Sequence, residues 1–594
     1  MEQHIYNLGV IGNCAFLAHI DKSTNIAWMC WPRFDSSFVF GQLLDKQKGG
    51  EFSILPDDDN YSSDQYYIEN TNILRTEITS QSGKYRVTDV APRFFQFERY
   101  FRPLMLIRKI EPLEGNPRIK VTCRPTYNYG QHTPEKRRGS SHIEFSGYED
   151  HFRLTTDISL SHIMEENYFV LNEPKYLVMT YGVPLEAPLV STAEEFLRRT
   201  IQYWRGWVKS TSITDFYQTA VIRSALVLKI HQYEDTGAII AAATTSLPEF
   251  PGSGRNWDYR YCWLRDTYYI LTAFNNIGHF EEMEKYFQYI ANISSTTKQG
   301  RYQPLYSLSG KEDLDEHLLD LEGYLGNTPV RLGNQAYTHI QNDVYGQVLI
   351  SLLPLYSDER FIHSERIRSP QLINNTLNKI HEIMEEPDAG LWEFRNFSQY
   401  HCYTYLFHWA GAKAGHKIAQ RLGDKKMALL ADKVMKAAAN KIESCYIPEL
   451  RAYSQAIGNT NMDASTLQLI MMNYLDPNSQ RALDHLSWLE QGLKTKEGLF
   501  YRYKHADDFG LPESTFLICA FWYVEALACV GKVDEAAKEF EKLLSYTNHL
   551  GLLSEDVHAE SGSQWGNFPQ AYSHVGLVNA AFKITNKMDR PNFL

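Results

Sequence analysis

The chain has 594 residues, with 59 Lys and Arg against 71 Asp and Glu, giving a net charge of −12. Its 43% hydrophobic and 22% charged residues are the composition of a folded globular protein, which excludes disorder as the main state. The acidic balance, with no basic run to override it, excludes nucleic acid as a partner, because such binding runs on clustered Lys and Arg displacing phosphate counterions.

No apolar stretch reaches the roughly 18 residues of a membrane span, and the start, MEQHIYNLGVIGNCAF, lacks the basic and apolar regions of a signal peptide. A cytoplasmic protein with no membrane partner is expected. The eight cysteines are scattered without a C-x-x-C pair, so neither a disulfide framework nor a zinc module is expected, and no metal or cofactor is called for. Aromatic residues make up 13% of the chain. Most serve a large core, and some suit a sugar site, where flat rings cover the apolar face of a pyranose.

Up to about residue 187 the chain reads as short strands. Ile73–Ile78, Tyr85–Val90, Met105–Ile110, Arg118–Cys123 and His142–Phe145 alternate or are β-branched, with turn signals at Gln81-Ser82-Gly83 and Glu114-Gly115-Asn116-Pro117 between them. Many strands without intervening helices predict an antiparallel β-sandwich over 1–187. Residues 188–212 read as a helical linker. From 213 to 594 the period is helical: Met427, Leu430, Ala431, Val434, Met435 and Ala438 recur at helical spacing, and so do Val533, Ala536, Ala537, Phe540, Leu543 and Leu544.

Twelve helices are predicted, near 217–234, 264–278, 280–294, 336–356, 370–386, 399–422, 424–445, 463–475, 479–494, 513–530, 533–546 and 569–584. Gly423 and Asp424 mark the end of one and the cap of the next. Links within helix pairs are mostly short, with 357–369 the exception, whereas those between pairs are long: 235–263, 295–335, 387–398, 446–462, 495–512 and 547–568. Alternation of this kind suggests a closed double ring of helices with every long link at one end, where a pocket would form. The fold class is thus an α+β multidomain chain, an N-terminal antiparallel β-sandwich followed by a C-terminal helical barrel.

The long links carry the unusual residues. Gly254–Asp266 packs four aromatics, three Arg and two Asp into thirteen residues, poor core material unless paired. They suit a polar, aromatic-walled pocket, or alternatively an Arg–Asp network that staples the loop. Glu393 stands between Trp392 and Phe394 on a non-helical turn, an apolar setting of the kind that suits a general acid. Glu555 and Asp556 lie in the last long link, before Trp565-Gly566-Asn567-Phe568-Pro569-Gln570, where Asn567 is expected to cap the final helix. His574 is expected to cap or to support the site. Taken singly these are bland residues, but the ring brings Glu393 and Glu555, 162 positions apart, to one mouth. Two carboxylates across a pocket are the equipment of glycoside hydrolysis. No phosphate-binding loop, serine-hydrolase elbow or zinc-protease motif is present.

At these residues the chain resembles glycoside hydrolase family 15, the glucoamylases, glucodextranases and one group of trehalases, in its bacterial two-domain form. The resemblance rests on Thr244–Glu249, Arg255–Asp266, Pro329–Asn334, Gly390–Arg395, Glu513–Phe516, Gly551–Glu555, Gly566–His574 and Trp28–Ser36. It implies a β-sandwich with an (α/α)6 barrel, acting on terminal α-glucosyl groups with inversion, which requires carboxyls roughly 6.5–9.5 Å apart. By motif, it implies Glu393 as general acid and Glu555 as general base. Tyr259, Trp263, Arg265 and Asp266 would hold the terminal glucose beside Trp392, with Arg331 and Glu513 as further pocket residues.

One departure stands out: fungal-type glucoamylases carry a second Glu directly after the acid, where this chain has Phe394 followed by Arg395. That puts starch-chain specificity in doubt. The leading reading is an exo-acting inverting α-glucoside hydrolase on an α-linked gluco-oligosaccharide, with trehalase at near parity. An inverting α-glucoside phosphorylase and a non-catalytic sugar-binding protein are the other classes weighed. Oligomeric state is open, with a homo-oligomer admitted.

Overall fold

The computed structural model describes residues 3–296, 301–361 and 368–588. Its N-terminal half-domain is entirely antiparallel. An eight-stranded sheet runs in the order Lys136–Arg138, His142–Phe145, Phe152–Thr156, Lys175–Tyr181, Met105–Gly115, Gly83–Val90, Leu74–Ser80, Ser62–Tyr67. Facing it are a four-stranded meander from Leu8–Gly12 to Phe38–Phe40 and a three-stranded sheet centred on Arg118–Arg124. The five strands expected from alternation are all present: His142–Phe145 has the expected bounds, the strand expected from Ile73 starts at Leu74, and the other three run on at one end.

Alternation along Met105–Gly115 explains how this sheet is used twice. Leu106 and Ile110 enter the core between the sheets. Met105 and Ile107, on the other face, join the core shared with the helical domain, as do Val90 and Val178, the partners of Ile107 on its two neighbouring strands. The helix Leu189–Lys209 covers that face with Ala193, Leu197 and Trp204. Between the sheets Arg108 is wholly buried, paired with Asp89 at 2.7 Å and donating to the carbonyl of Phe52 at 2.8 Å. A buried guanidinium needs such partners on every side, and here they pin one sheet to the other.

The C-terminal domain is a double ring. The inner helices are Leu264–Ile277, Val344–Ser357, Cys402–Leu422, the short Gln468–Met471, Leu517–Cys529 and Ala571–Lys587; each contacts the next and the last returns to the first. These inner helices are apolar nearly all round, as a buried helix must be. The outer helices Pro370–Glu382, Lys425–Glu443, Gln480–Leu493 and Val533–Leu544 bury one face only. Of the two other outer helices, Phe280–Thr296 and Gln218–His231, the latter is buried along ten of its fourteen residues, because the sandwich sits on it: Arg223 donates to Asn72 Oδ1 and Thr71 O, and Asn72 donates to Leu226 O. Gly423 ends one helix in the left-handed conformation, and Asp424 caps the next by accepting from Lys426 and Met427 N–H.

The twelve predicted helices are present, three of them losing their first residues where the preceding long link ends. The segment predicted as 336–356 is helical only from Val344, because Asn334 caps an isolated turn at Gln335–Thr338 instead. Residues 513–516 form a strand edge ahead of Leu517, and 464–471 is a tight 3-10 turn running into one α-helical turn. Among the described residues no helix is long and apolar enough to cross a membrane.

The inner ring closes at one point by backbone contact. A Cβ on Gly346 would collide with Phe407 O, and one on Gly411 would lie 2.5 Å from Gly346 Cα. Gly346→Ala is therefore expected to force Val344–Ser357 and Cys402–Leu422 apart, at a cost of about 1–3 kcal/mol. A lowered urea midpoint with unchanged secondary structure is the expected outcome; an unchanged midpoint would show that the pair repacks freely.

Candidate active site

The long links meet at one end of the ring and together line one polar, aromatic-walled cavity. Glu249, Arg255, Trp257, Tyr259 and Trp263 come from the first link, Trp392–Arg395 from the third, Arg502 and Asp507–Phe509 from the fifth, and Glu555 from the last. Arg265, Asp266 and Tyr572 enter from the first turns of inner helices.

Glu393 sits in a tight turn whose peptide N–H groups return to Gly390 O and Ala389 O. Its own backbone is left-handed, φ 63°, a strained conformation for a residue with a Cβ and one that surrounding structure must hold. That support converges on a single oxygen. Oε1 accepts from Trp263 Nε1 at 2.7 Å, Arg265 Nη2 at 3.3 Å and Gln341 Nε2 at 3.3 Å. Arg265 is itself fixed by Leu391 O at 2.7 Å and Gln341 Oε1 at 3.2 Å. Trp392, next to the acid, anchors its indole on Asp463 at 2.9 Å.

Glu555 has the opposite setting. It is 2% exposed, and burial first, then the neighbouring Glu249, push its carboxyl well above the ordinary range; a hydrogen bond from Tyr259, the charge of Arg502 and the Asn567 N–H, 3.2 Å from Oε2, oppose this only in part. Asp556 beside it is raised further by burial and by Glu555. Arg502 pairs with Glu249, whose other oxygen accepts from Trp257 Nε1 at 2.9 Å, and the charge of Arg255 also acts on Glu249. Asp266 is also buried, its carboxyl pushed up to about 6 by desolvation. Gln570 Oε1 lines the cavity as a buried acceptor without a hydrogen-bond partner, and Asp266 Oδ2 has Arg265 Nε at 3.4 Å; both are positions at which a ligand hydroxyl can donate.

Around the outer rim, Trp257 is held between two guanidinium groups, Arg331 and Arg395, each 4.6 Å from its ring. Asp508 accepts the Arg395 N–H at 2.6 Å and the Asn396 side chain at 2.6 Å, and Phe509 packs edge-on to Trp257 at 5.1 Å. Arg255 pairs with Asp507 at 2.5 Å.

Seven of the nine residues expected at the site, Tyr259, Trp263, Arg265, Asp266, Trp392, Glu393 and Glu555, line this one cavity. Two do not. Arg331 is buried behind the wall, where it donates to Gly254 O and Asn256 O and stacks on Trp257. Glu513 is exposed and stands outside the lining, because the chain turns inward only at Ser514. The stapling alternative for the Arg–Asp block also has a place: Arg260 and Asp258, both fully buried, pair at 2.7 Å and tie the link to Ser36 of the sandwich.

Asn567 does not cap the last helix, which Gln570 precedes; its side chain instead bridges Thr244 and Trp257. His574, neutral through burial, accepts the Leu553 N–H at 3.1 Å two residues before Glu555. Sequence reasoning missed Glu249, Gln341, Arg502 and the 507–509 segment. Only Glu249, inside a matched motif, carried a signal.

The raised carboxyls have a consequence for stability. A glutamate in the unfolded chain titrates near 4.3, whereas folded Glu555 and Asp556 keep their protons to higher pH. The folded protein thus retains protons that the unfolded chain releases, and stability falls as pH rises from about 4.3 through the raised values. Glu555→Gln is expected to raise the melting temperature near pH 8.5 and to change it little near about pH 5. Calorimetry at both conditions checks this, and an equal shift at both would remove buried charge as the cause.

Comparison with known proteins follows the same outline. The family model for glycosyl hydrolases family 15 matches residues 215–582, and a trehalase-like N-terminal model matches 2–162. A trehalase of Thermoplasma volcanium is 33% identical over 97% of this chain and 93% of its own length. A trehalase of Mycobacterium tuberculosis is 30% identical over 95% of this chain and 87% of its own. A bacterial glucoamylase solved with acarbose shares the fold, with a TM-score of 0.69 at 15% identity over 99% of this chain and 95% of that one. The chain belongs to glycosyl hydrolase family 15 and is a glycoside hydrolase.

Proposed function

We propose that the protein hydrolyses α,α-trehalose with inversion, Glu393 as general acid and Glu555 as general base. The donors gathered on Glu393 Oε1 leave Oε2 as the oxygen that carries the proton to the glycosidic oxygen. Glu555 takes a proton from water as its oxygen bonds to C1 from the opposite face. The C1–O bond breaks, one glucose leaves as the β-anomer and the other, whose anomeric carbon is untouched, as the α-anomer. Afterwards Glu555 carries a proton and Glu393 a charge, and exchange with water resets both. Tyr259, Trp263, Arg265 and Asp266 are assigned to the glucose that is cleaved, with the buried acceptors of Asp266 and Gln570 taking its hydroxyls.

The observation that carries trehalose over a longer α-glucan is the outer rim. Asp507, Asp508 and Phe509 belong to a surface segment, yet they line the cavity: Asp508 accepts the backbone N–H of Arg395, the second residue after Glu393, whose guanidinium lies over Phe509, while Asp507 pairs with Arg255. A rim strapped to the acid's own turn leaves a bounded place for the leaving sugar rather than an open path for a chain. The relatives named trehalase support the same choice. A phosphorylase has no need of a carboxylate base, and Glu555 in the cavity wall supports hydrolysis instead.

Time-resolved proton NMR with trehalose and with maltotriose, both without phosphate, tests this. Equal α- and β-glucose from trehalose, with at most slow release from maltotriose, is expected; β-glucose from maltotriose alone would make the enzyme glucoamylase-like. Glu393→Gln and Glu555→Gln should each lower kcat by about 100-fold or more. Because Glu555 must be ionised to act and its carboxyl is raised, the acid limb of kcat/KM is expected at a pH above the ordinary glutamate range; a limb near about 4.3 would remove Glu555 as the base.

A further inference from the structure

The sandwich reaches the candidate base through one peptide group. The carbonyl of Gly566 accepts from the buried Tyr6 hydroxyl at 3.0 Å, and the next N–H, that of Asn567, points at Glu555 Oε2 at 3.2 Å. The two bonds lie on opposite edges of the same rigid plane, so the hydroxyl of Tyr6 sets the direction of the donor that holds Glu555.

Position 566 shows why such a brace is useful. Its φ is +76°, and a Cβ there would fall 2.5 Å from Glu555 Cβ and 2.6 Å from Oε2. Only glycine fits beneath the carboxylate, and glycine restricts the following peptide least; the Gly566 N–H on Pro248 O and the Asn567 side chain on Thr244 and Trp257 hold it from the barrel side. The N-terminal segment supplies what glycine gives up. It is tied to the hairpin that follows Glu555 by Gln564 N–H to His4 O at 2.8 Å and by Tyr6 N–H to Gln564 Oε1 at 3.0 Å. Asn548 holds it from the other side, donating to Tyr6 O and Leu8 O, each at 2.9 Å. The His4 ring stacks on Trp565 at 4.3 Å, and His19 of the sandwich bonds the Phe568 carbonyl at 2.9 Å. Tyr6 itself is 1% exposed.

We propose that Tyr6 is a positioning residue for hydrolysis, fixing the Gly566–Asn567 peptide so that its N–H stays on Glu555, and that the sandwich thereby takes part in catalysis. The proposal rests on Glu555 being the base. Without the Tyr6 hydroxyl the peptide loses its outer tether, the N–H leaves the carboxylate, and the charged form of Glu555 loses a donor that favours it.

Tyr6→Phe removes one oxygen from a packed ring. Assayed on trehalose well below its melting temperature, it is expected to lower kcat about tenfold with KM within about twofold, as for a misplaced catalytic group. The acid limb of kcat/KM should also move to higher pH, the readout that a purely structural role would not change. Unchanged kcat and an unmoved limb, or lower thermal stability alone, would overturn the proposal.

If Tyr6→Phe does not fold, Asn548→Ser and Gln564→Met loosen the same segment while keeping the hydroxyl. A kcat loss with the shifted limb in either supports the proposal, and loss of stability alone refutes it. Glu555→Gln separates the two levels: full turnover in that variant defeats the assignment of the base, whereas a silent Glu555→Gln beside an unaffected Tyr6→Phe defeats only the relay.

Discussion

Three buried carboxyls, Glu249, Glu555 and Asp556, have only Arg502 beside them and Arg255 near Glu249, fewer cations than acids. Most of the site can be understood as a response to that imbalance. A buried acid with too little positive charge nearby keeps its proton, and a base must be able to lose it. The environment therefore supplies Tyr259, the Asn567 N–H and Arg502, enough to oppose the desolvation without cancelling it. On the other wall Glu393 is 22% exposed and receives every protein donor on one oxygen. Two residues of the same type are thus given different partners, which is how paired carboxyls take different roles in one reaction.

The architecture was legible in the sequence because its signals are long-range and repetitive. Twelve helical periods with alternating short and long links specify a ring, and strand alternation followed by a change of period marks where the sandwich ends. Boundaries failed where local chemistry outweighed pattern. Asn334 and Asp463 cap short 3-10 turns in stretches whose hydropathy alone reads as helix. The burial of Gln218–His231 could not be read either, since its cause lies in Asn72, Thr71 and the rest of a domain distant in sequence.

For the site, legibility followed residue type. Trp263, Arg265 and the two glutamates are conspicuous because aromatics, arginines and acids crowd into loops, and a ring brings the loops together. Gln341 and Arg502 are conspicuous in no window of sequence; each acts through a partner more than fifty positions away, Glu393 for one and Glu249 for the other. Glu513 failed for the converse reason. It lies in a matched motif, yet the turn into the barrel begins one residue later, and a shift of one position near a strand edge reverses the side a side chain faces.

The position after the acid joins specificity to folding. Where fungal-type glucoamylases place a sugar-binding glutamate, Phe394 here is 3% exposed and stacks on Phe397 at 4.4 Å and His401 at 5.9 Å. A charged side chain could not occupy that setting without a partner, so the phenylalanine is bound up with how the turn is packed. Phe394 N–H also closes the turn on Ala389 O, while Arg395, the next residue, gives its backbone N–H to Asp508 and lays its guanidinium on Trp257. One short stretch thus holds Glu393 in a conformation it would not adopt alone and ties its turn to the rim of the cavity. The geometry of Glu393 and the position of the rim are coupled through the same three residues, so moving the rim has to begin by supporting Glu393 in another way.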